Sequence, residues 1–348
     1  MSADGRTSRR RTIVELYLSR EPEARYDRHL GYAAGLAVGV PALAAQTIGP
    51  AHFWILVAIG AWLAVIPAPP APARERIRQS LRSVALTVTA TAVGLATGDR
   101  LGALVAASLV FVVIISLPGI TAIPLIALVI AAQPSSVAAP VHLGAIALGS
   151  VWSSALVMTP WLGGRYGEPV LGPTVDPLLL RIRRSWAALI EAAVSGSPAV
   201  RYAVRVSSCF TVTLVLLHLT DAPRPTWALI GILTTLRPSW SHTRSRVVKR
   251  LIGMTVGCLL SAVLIVATHE HGVALAAAIV VCATIGRPMR GFNYGYWPIF
   301  ATPVLLLLIE TGVALDLGDI AVRLLDNALG AAVALLATAV IWPDRRHA

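Results

Sequence analysis

The chain is a succession of long apolar segments that runs almost without a break from Leu30 to Trp342. A membrane-spanning helix needs roughly 20 apolar residues, or somewhat fewer where Gly or Pro interrupts it. The pattern therefore predicts an all-α, polytopic transmembrane bundle. We expect about 12 spans, at residues 30–49, 52–66, 83–98, 101–117, 119–133, 137–161, 203–220, 225–236, 251–268, 272–286, 294–309 and 320–342.

Several of these spans hold only about 15 to 17 apolar residues, and prolines bound or interrupt them. Short, broken spans are typical of helices that are surrounded by protein rather than lipid. The eighth span, at 225–236, is the shortest, and the second, at 52–66, is also short. Whether these two cross the bilayer completely is left open.

The apolar pattern also repeats. At residues 74–98 and again at 237–267, an arginine cluster leads into an apolar helix with small residues at four-residue spacing, which permits close helix approach. The last span of each half carries a second match, Ala-Leu-Gly at 147–149 and at 328–330. We interpret the chain as a duplicated unit of six spans. An even number of spans puts both copies in the same orientation, so the repeats are predicted to be parallel.

Composition and charge agree with this interpretation. The chain is 56% hydrophobic, with a mean hydropathy of +0.73 and a net charge of +12. Of the 29 Lys and Arg residues, Arg100 and Arg224 fall in outside loops, Arg323 falls within a span, and all the others fall inside. This is the positive-inside rule, so we expect cytoplasmic termini in a bacterial inner membrane. The charge then indicates orientation and contact with the lipid bilayer, and we expect no nucleic-acid partner.

These patterns divide the chain into five parts. A cytoplasmic tail occupies residues 1–28 and contains a surface helix around residues 12–18. The first membrane repeat covers 29–162, the second covers 200–343, and a C-terminal tail covers 344–348. The linker at 163–199 carries an amphipathic helix between Asp176 and Gly196. This helix is predicted either to lie on the membrane surface or to pack on the bundle's inner face.

Three stretches of the second half resemble one known family. They are PTWAL at 225–229 followed by LRPS at 236–239, RLIGMTVG at 250–257, and RLLDNALG at 323–330 with Trp-Pro at 342–343. These stretches are similar to the FUSC family, the fusaric acid resistance and aromatic acid exporter group of bacterial inner-membrane proteins. The resemblance is fainter in the first half, where His142 replaces Arg323. The resemblance implies export of small organic anions, aromatic carboxylic acids among them. The family's plant relatives act as malate channels, which implies an anion channel as the alternative.

The candidate substrate site follows from charges inside the membrane. An ionisable side chain there costs about 2.5–3.5 kcal/mol, so each one requires an explanation. Arg323 and Asp326 lie on one turn of the last span, and Asn327 follows. They form either a structural ion pair or an anion site in which a guanidinium donates two hydrogen bonds to a carboxylate.

Other residues extend this hypothesis toward the inner side. Arg205 and Arg250 begin spans there, either as anchors of topology or as a basic vestibule that concentrates anions. Tyr296 and Trp297 begin the eleventh span, either as interfacial aromatics or as a surface that stacks on an aromatic substrate.

Signatures of catalysis are missing from the sequence. It has no GxxxxGK[ST] loop, its single lysine is Lys249, and it has neither HExxH nor GxSxG. We expect no enzyme activity, no cofactor and no metal, and we expect export that is proton-coupled or downhill. A non-transporting scaffold that binds envelope lipid or a partner protein is the alternative from another class, and homo-oligomerisation is left open.

Overall fold

The computed structural model describes residues 12–19, 26–66, 73–98, 100–116, 120–159, 198–220, 226–268, 271–309 and 317–341. The predicted linker helix lies outside these ranges. Every regular element within them is an α-helix. The helices are α1 Ile13–Leu18, α2 Arg28–Thr47, α3 Ala51–Val65, α4 Ala73–Thr97, α5 Leu101–Ile115, α6 Ile123–Ala131, α7 Ala139–Met158, α8 Pro198–Leu219, α9 Thr226–Thr235, α10 Trp240–Ala267, α11 Gly272–Phe292, α12 Trp297–Ile309 and α13 Leu317–Val340.

Seven of the described helices, α2, α4, α7, α8, α10, α11 and α13, are long and apolar enough to cross a membrane. Helices α3, α5, α6, α9 and α12 have only 9 to 15 residues. At 1.5 Å per residue they measure about 14 to 22 Å, less than the hydrocarbon thickness of about 30 Å. The prediction of an all-α membrane protein is confirmed at this level.

Several helices are longer than the predicted spans. Helices α4 and α10 begin at Ala73 and Trp240, so the arginine clusters that precede the apolar segments are themselves helical. Ser239 caps α10 by accepting from the backbone N–H of His242. Arginine is a good helix former, and a helix continues past the bilayer edge where its side chains reach water. Helix α11 likewise extends to Phe292 instead of ending at residue 286.

Helices of the second half pack in the same order as those of the first. Helix α3 packs on α7, and α4 on α6 and α7, while α9 packs on α13, and α10 on α12 and α13. Between the halves, α2 packs along α11 and α5 contacts α8. Helices α3 and α12 also meet, as do α6 and α9. The centre of the molecule therefore lies between α3, α6, α9 and α12, which are all short helices.

Two glycines allow two of these helix pairs to approach closely. A methyl group at Gly149 of α7 would overlap the carbonyl oxygen of Val57 in α3. One at Gly330 of α13 would overlap the carbonyl oxygen of Ala228 in α9. Small residues at such positions bring helix backbones together and increase their van der Waals contact.

Candidate functional site

A cavity of about 400 Å³ lies at the centre of the molecule, among residues from both halves. Most of its wall is aliphatic, but three tryptophans also line it. The wall includes four arginines, and none of the described lining residues is Asp or Glu. The cavity is thus apolar in its walls and positive in charge. The basic lining residues are Arg237, Arg250, Arg290 and Arg323, and the tryptophans are Trp62, Trp227 and Trp297.

Arg323 is held against an aromatic ring at the cavity wall. It lies in the second turn of α13 and is 3% exposed, with its guanidinium carbon 3.7 Å from the ring centroid of Trp227. Trp227 lies in the first turn of α9, which packs on α13. A cation over a tryptophan face is stabilised most when water is excluded. Stacking on Trp227 occupies one face of the Arg323 guanidinium. Its N–H groups point outward in the plane of the guanidinium, so stacking does not block them as donors.

Asn327 links Arg250 to the backbone at Arg323. The Arg250 Nη2 donates to the Asn327 Oδ1 at 2.7 Å, and the Asn327 Nδ2 donates to the carbonyl oxygen of Arg323 at 2.9 Å. The Arg250 Nη1 reaches the hydroxyl of Tyr294 at 3.5 Å. That hydroxyl donates to the carbonyl oxygen of Thr234 at 3.3 Å. These hydrogen bonds therefore hold the Arg250 guanidinium of α10 against α13 at the cavity wall.

Two donors in the cavity wall have no hydrogen-bond partner among the described residues. They are the Nε of Arg250 and the Nε1 of Trp62, both buried. Most buried donors in proteins have a partner, so such a pair requires an explanation. An anionic ligand in the cavity would supply oxygen acceptors for both.

Trp62 and Trp297 meet across the two halves of the molecule. Their rings stack with centroids 5.2 Å apart and planes 11° from parallel. Trp62 belongs to α3 and is fully buried, and Trp297 begins α12 and is 7% exposed. The pair brings aromatic side chains from both halves to the cavity wall, where an aromatic ligand can pack edge-to-face or on an outer ring face.

Not all the predicted site residues reach the cavity. Four of them line it, namely Arg250, Trp297, Arg323 and Asn327. Asp326 is half-buried on α13 and does not line it.

Arg205 and Tyr296 also lie elsewhere. Arg205 is fully buried, and its Nε and Nη1 donate to the carbonyl oxygens of Ile341, at 3.0 Å, and Pro238, at 2.6 Å. It thus holds the end of α13. Tyr296 packs edge-on against Tyr17 of α1, with centroids 5.7 Å apart.

Arginines also donate hydrogen bonds to backbone carbonyl oxygens at the ends of other helices. The Arg287 Nε donates to the carbonyl oxygen of Val65 at 2.9 Å, at the end of α3, and the Arg76 Nη1 donates to that of Val157 at 3.5 Å, near the end of α7. The last carbonyls of a helix lack intrahelical partners, and a positive charge there also complements the helix dipole. Several arginines that the sequence counts as markers of topology therefore support the fold.

Sequence reasoning did not select several residues of this cavity. Trp62 is an aromatic residue in an apolar segment, which in a sequence looks the same as any core tryptophan. Arg237 falls among the inside charges, and Arg290 does so too, as either an anchor of topology or part of the basic vestibule. Trp227 did have a signal, since it lies in the PTWAL stretch that carries the family resemblance.

The helices and the cavity together define a polytopic membrane protein with a basic and aromatic cavity between its two halves. Residues 209–337 match the model of the fusaric acid resistance protein-like family. This stretch of the second half is therefore similar to the fusaric acid resistance protein-like family, and the resemblance indicated by its motifs is confirmed over these residues.

Individual relatives match about the same share of the chain. An uncharacterized protein of Haemophilus influenzae is 28% identical over 153 residues, which are 43% of this chain and 21% of that protein. The inner membrane protein YccS of Escherichia coli is 27% identical over 164 residues, 46% of this chain and 22% of YccS. The uncharacterized protein ORF2 of Neisseria gonorrhoeae is 22% identical over 165 residues, 47% of this chain and 39% of ORF2. The chain thus matches about a fifth to two fifths of these relatives' lengths, and no solved structure matches it.

Proposed function

We propose that this protein is an inner-membrane transporter that exports small organic anions, aromatic carboxylic acids among them. The observation that carries the proposal is the cavity, in which the buried Arg250 and Arg323 share a wall with tryptophans and no carboxylate occurs among the described lining residues. Volumes of 300 to 1,000 Å³ are typical of ligand sites that combine apolar walls with a few convergent polar groups. The cavity, at about 400 Å³, falls within this range.

The chemistry of the lining matches both parts of such a substrate. A carboxylate accepts two parallel hydrogen bonds from a guanidinium, and Arg250 has a buried Nε to offer. An aromatic ring packs against the Trp62–Trp297 pair in the cavity wall, edge-to-face or on an outer ring face. In the proposed complex the carboxylate lies at the arginines and the ring extends toward the tryptophan pair.

We further propose that the molecule consists of two parallel repeats of six segments with both termini cytoplasmic. The matched order of helix packing in the two halves supports this proposal. So does the use of Gly149 and Gly330 at corresponding helix contacts. The five short helices then cross only part of the bilayer, surrounded by the longer ones, as in transporters whose interrupted helices form the substrate site.

The comparisons support this assignment at the level of the family. The family model is named for resistance to fusaric acid, an aromatic carboxylic acid, and YccS is an inner membrane protein. Export removes such an acid from the cell, and the basic inner side of this chain attracts anions to the cytoplasmic entrance. Without a phosphate-binding loop, transport is coupled to protons or runs downhill.

Accumulation in inverted membrane vesicles tests the proposal. A panel of labelled aromatic acids is offered with and without a proton gradient. We expect at least one acid to accumulate with the wild-type chain and not with Arg323→Gln, while Arg100→Gln, a change at an exposed arginine, retains accumulation. Equal uptake by vesicles with and without the protein, over the whole panel, would contradict the proposal.

A further inference from the structure

Helix α1 is bound to the bundle through one side. The hydroxyl of Tyr17 donates to the carbonyl oxygen of Gly295 at 3.3 Å, and the Asn293 Nδ2 donates to that of Tyr17 at 3.1 Å. The Tyr17 ring packs edge-on against Tyr296. Burial, and next the neighbouring Tyr296, raise the pKa of Tyr17, which keeps its hydroxyl protonated as a donor. All these contacts are with residues 293–296, the turn between α11 and α12.

The end of α1 also covers the single lysine of the chain. Lys249 is 5% exposed, and its ammonium group donates to the carbonyl oxygen of Ser19, the residue after α1. Lys249 lies nine residues after the start of α10, about 14 Å along its axis. The sequence of α10 becomes apolar directly after Arg250, so Lys249 marks the depth at which α10 enters the hydrocarbon. Helix α1 therefore lies at the inner boundary of the bilayer in the proposed topology.

A neighbouring side of α1 is apolar and is left exposed by the part of the chain that the structure describes. Val14 and Leu18 lie one turn apart and are 64% and 54% exposed. The preceding sequence is strongly basic, with arginines at positions 6, 9, 10 and 11. A short helix with an exposed apolar row beside basic residues is typical of a segment that lies in the membrane interface and is attracted to anionic headgroups.

We propose that α1 is an in-plane anchor that rests on the anionic inner leaflet and holds the 293–296 turn in place. This turn connects the anchor to the cavity, because Tyr296 contacts α1 while Tyr294 lines the cavity and bonds to Arg250. Lipid binding at α1 thereby fixes the part of the cavity wall that carries the Tyr294 hydroxyl. The proposal depends on the inferred topology but not on transport.

Labelling of Lys249 tests the proposal on the full chain. The purified protein is reconstituted into permeable vesicles of phosphatidylcholine alone or mixed with phosphatidylglycerol, and treated with an amine-reactive reagent. Peptide mass spectrometry separates Lys249 from the α-amino group. We expect slower labelling of Lys249 in the anionic vesicles, and labelling several-fold faster in Tyr17→Ala than in wild type in both vesicles. The double variant Val14→Glu, Leu18→Glu should remove the difference between vesicles, and His242→Gln, an exposed change on α10, should leave the rates unchanged.

Two results would overturn the proposal. If Tyr17→Ala and wild type are labelled at the same rate, α1 does not cover Lys249. If Lys249 is labelled faster in Tyr17→Ala, but at the same rate in wild type in both kinds of vesicle, α1 is held by protein contacts alone. The proposed contact of α1 with anionic lipid is then wrong. Neither result bears on whether the cavity carries anions, so failure here is distinguishable from failure of the proposed function.

Discussion

A buried arginine in a membrane protein is expensive, and Arg323 shows how its environment compensates. It is 3% exposed and stacks on Trp227, while the carbonyl oxygen of its own residue receives a hydrogen bond from Asn327. Its position in an apolar segment made it predictable as a special residue. Its aromatic partner was not predictable, because Trp227 is almost a hundred residues away and only the α9–α13 packing brings the two together.

Replacing Arg323 should separate the effect of its charge on export from the effect of its planar guanidinium shape. Arg323→Lys keeps the charge but loses the planar fork, and Arg323→Gln loses both. Charge-assisted hydrogen bonds contribute about 1.5–3 kcal/mol, so we expect the initial export rate at low substrate to fall about tenfold or more in both variants. Export measurements in vesicles check this, with Arg100→Lys as the control. A rate in Arg323→Lys equal to that of wild type would contradict a fork-specific role.

Asn327 offers a second, sharper test at the residue scale. Asn327→Asp places a carboxylate on Arg250, which forms a charged pair and competes with a bound anion. We expect thermal stability to be retained while anion binding is lost. Asn327→Ala leaves Arg250 with fewer partners, and we expect its melting temperature to fall. Thermal unfolding and ligand binding, measured on both variants, check this. Retained anion binding in Asn327→Asp would show that Arg250 does not contact the ligand.

Helix positions were well predicted, and their ends less so. Most predicted spans lie within a few residues of a helix because the apolar segments are bounded by Pro, Gly or charge. The sequence does not predict the beginnings of α4 and α10, because the length of an apolar segment reflects the thickness of the bilayer. A helix itself ends where its capping and tertiary contacts end. The α10 helix has 28 residues, or about 42 Å, well beyond the hydrocarbon thickness of about 30 Å.

Close packing of helix pairs gives the prediction that belongs to this scale. Gly149→Ala and Gly330→Ala each force a methyl group against a carbonyl oxygen of the neighbouring helix. Overpacking costs about 1–3 kcal/mol, so we expect a lower melting temperature in detergent for both variants. Gly144→Ala, in the same helix as Gly149 but with open space at its Cβ, is the matched control. Equal melting of Gly144→Ala and Gly149→Ala would contradict the observed α3–α7 contact.

At the scale of the whole molecule, the alternation of basic and neutral loops predicts an orientation without any geometry, and that orientation stays a prediction. It did not predict that the cavity would form where the short helices of the two halves meet. That result depends on contacts such as Trp62 on Trp297, which join residues more than two hundred positions apart and leave no local pattern. For the same reason the sequence leaves Arg205 as either an anchor of topology or part of a vestibule, and only the structure shows its Nε and Nη1 donating to backbone carbonyls.

The proposed topology makes a prediction that requires no substrate. Ser135, between α6 and α7, and Ser241, at the start of α10, are both exposed and are expected on opposite sides of the membrane. The native cysteines Cys209, Cys258 and Cys282 are buried, so background labelling should be low. We expect a membrane-impermeant thiol reagent to label Ser135→Cys in intact cells and Ser241→Cys only after permeabilisation. Labelling of both from the same side would refute the two-repeat arrangement.

The central claim, that the cavity binds an organic anion through its arginines and aromatic wall, is tested most directly by calorimetry on the purified chain. The ligands are an aromatic carboxylate and its uncharged amide, which share a ring and differ in charge. We predict saturable binding of the carboxylate with one site per chain, weakened at least about tenfold in Arg250→Gln, as expected for loss of roughly 1.4 kcal/mol, and much weaker binding of the amide. Equal affinity for carboxylate and amide, or unchanged carboxylate affinity in Arg250→Gln and Arg323→Gln, would contradict the account.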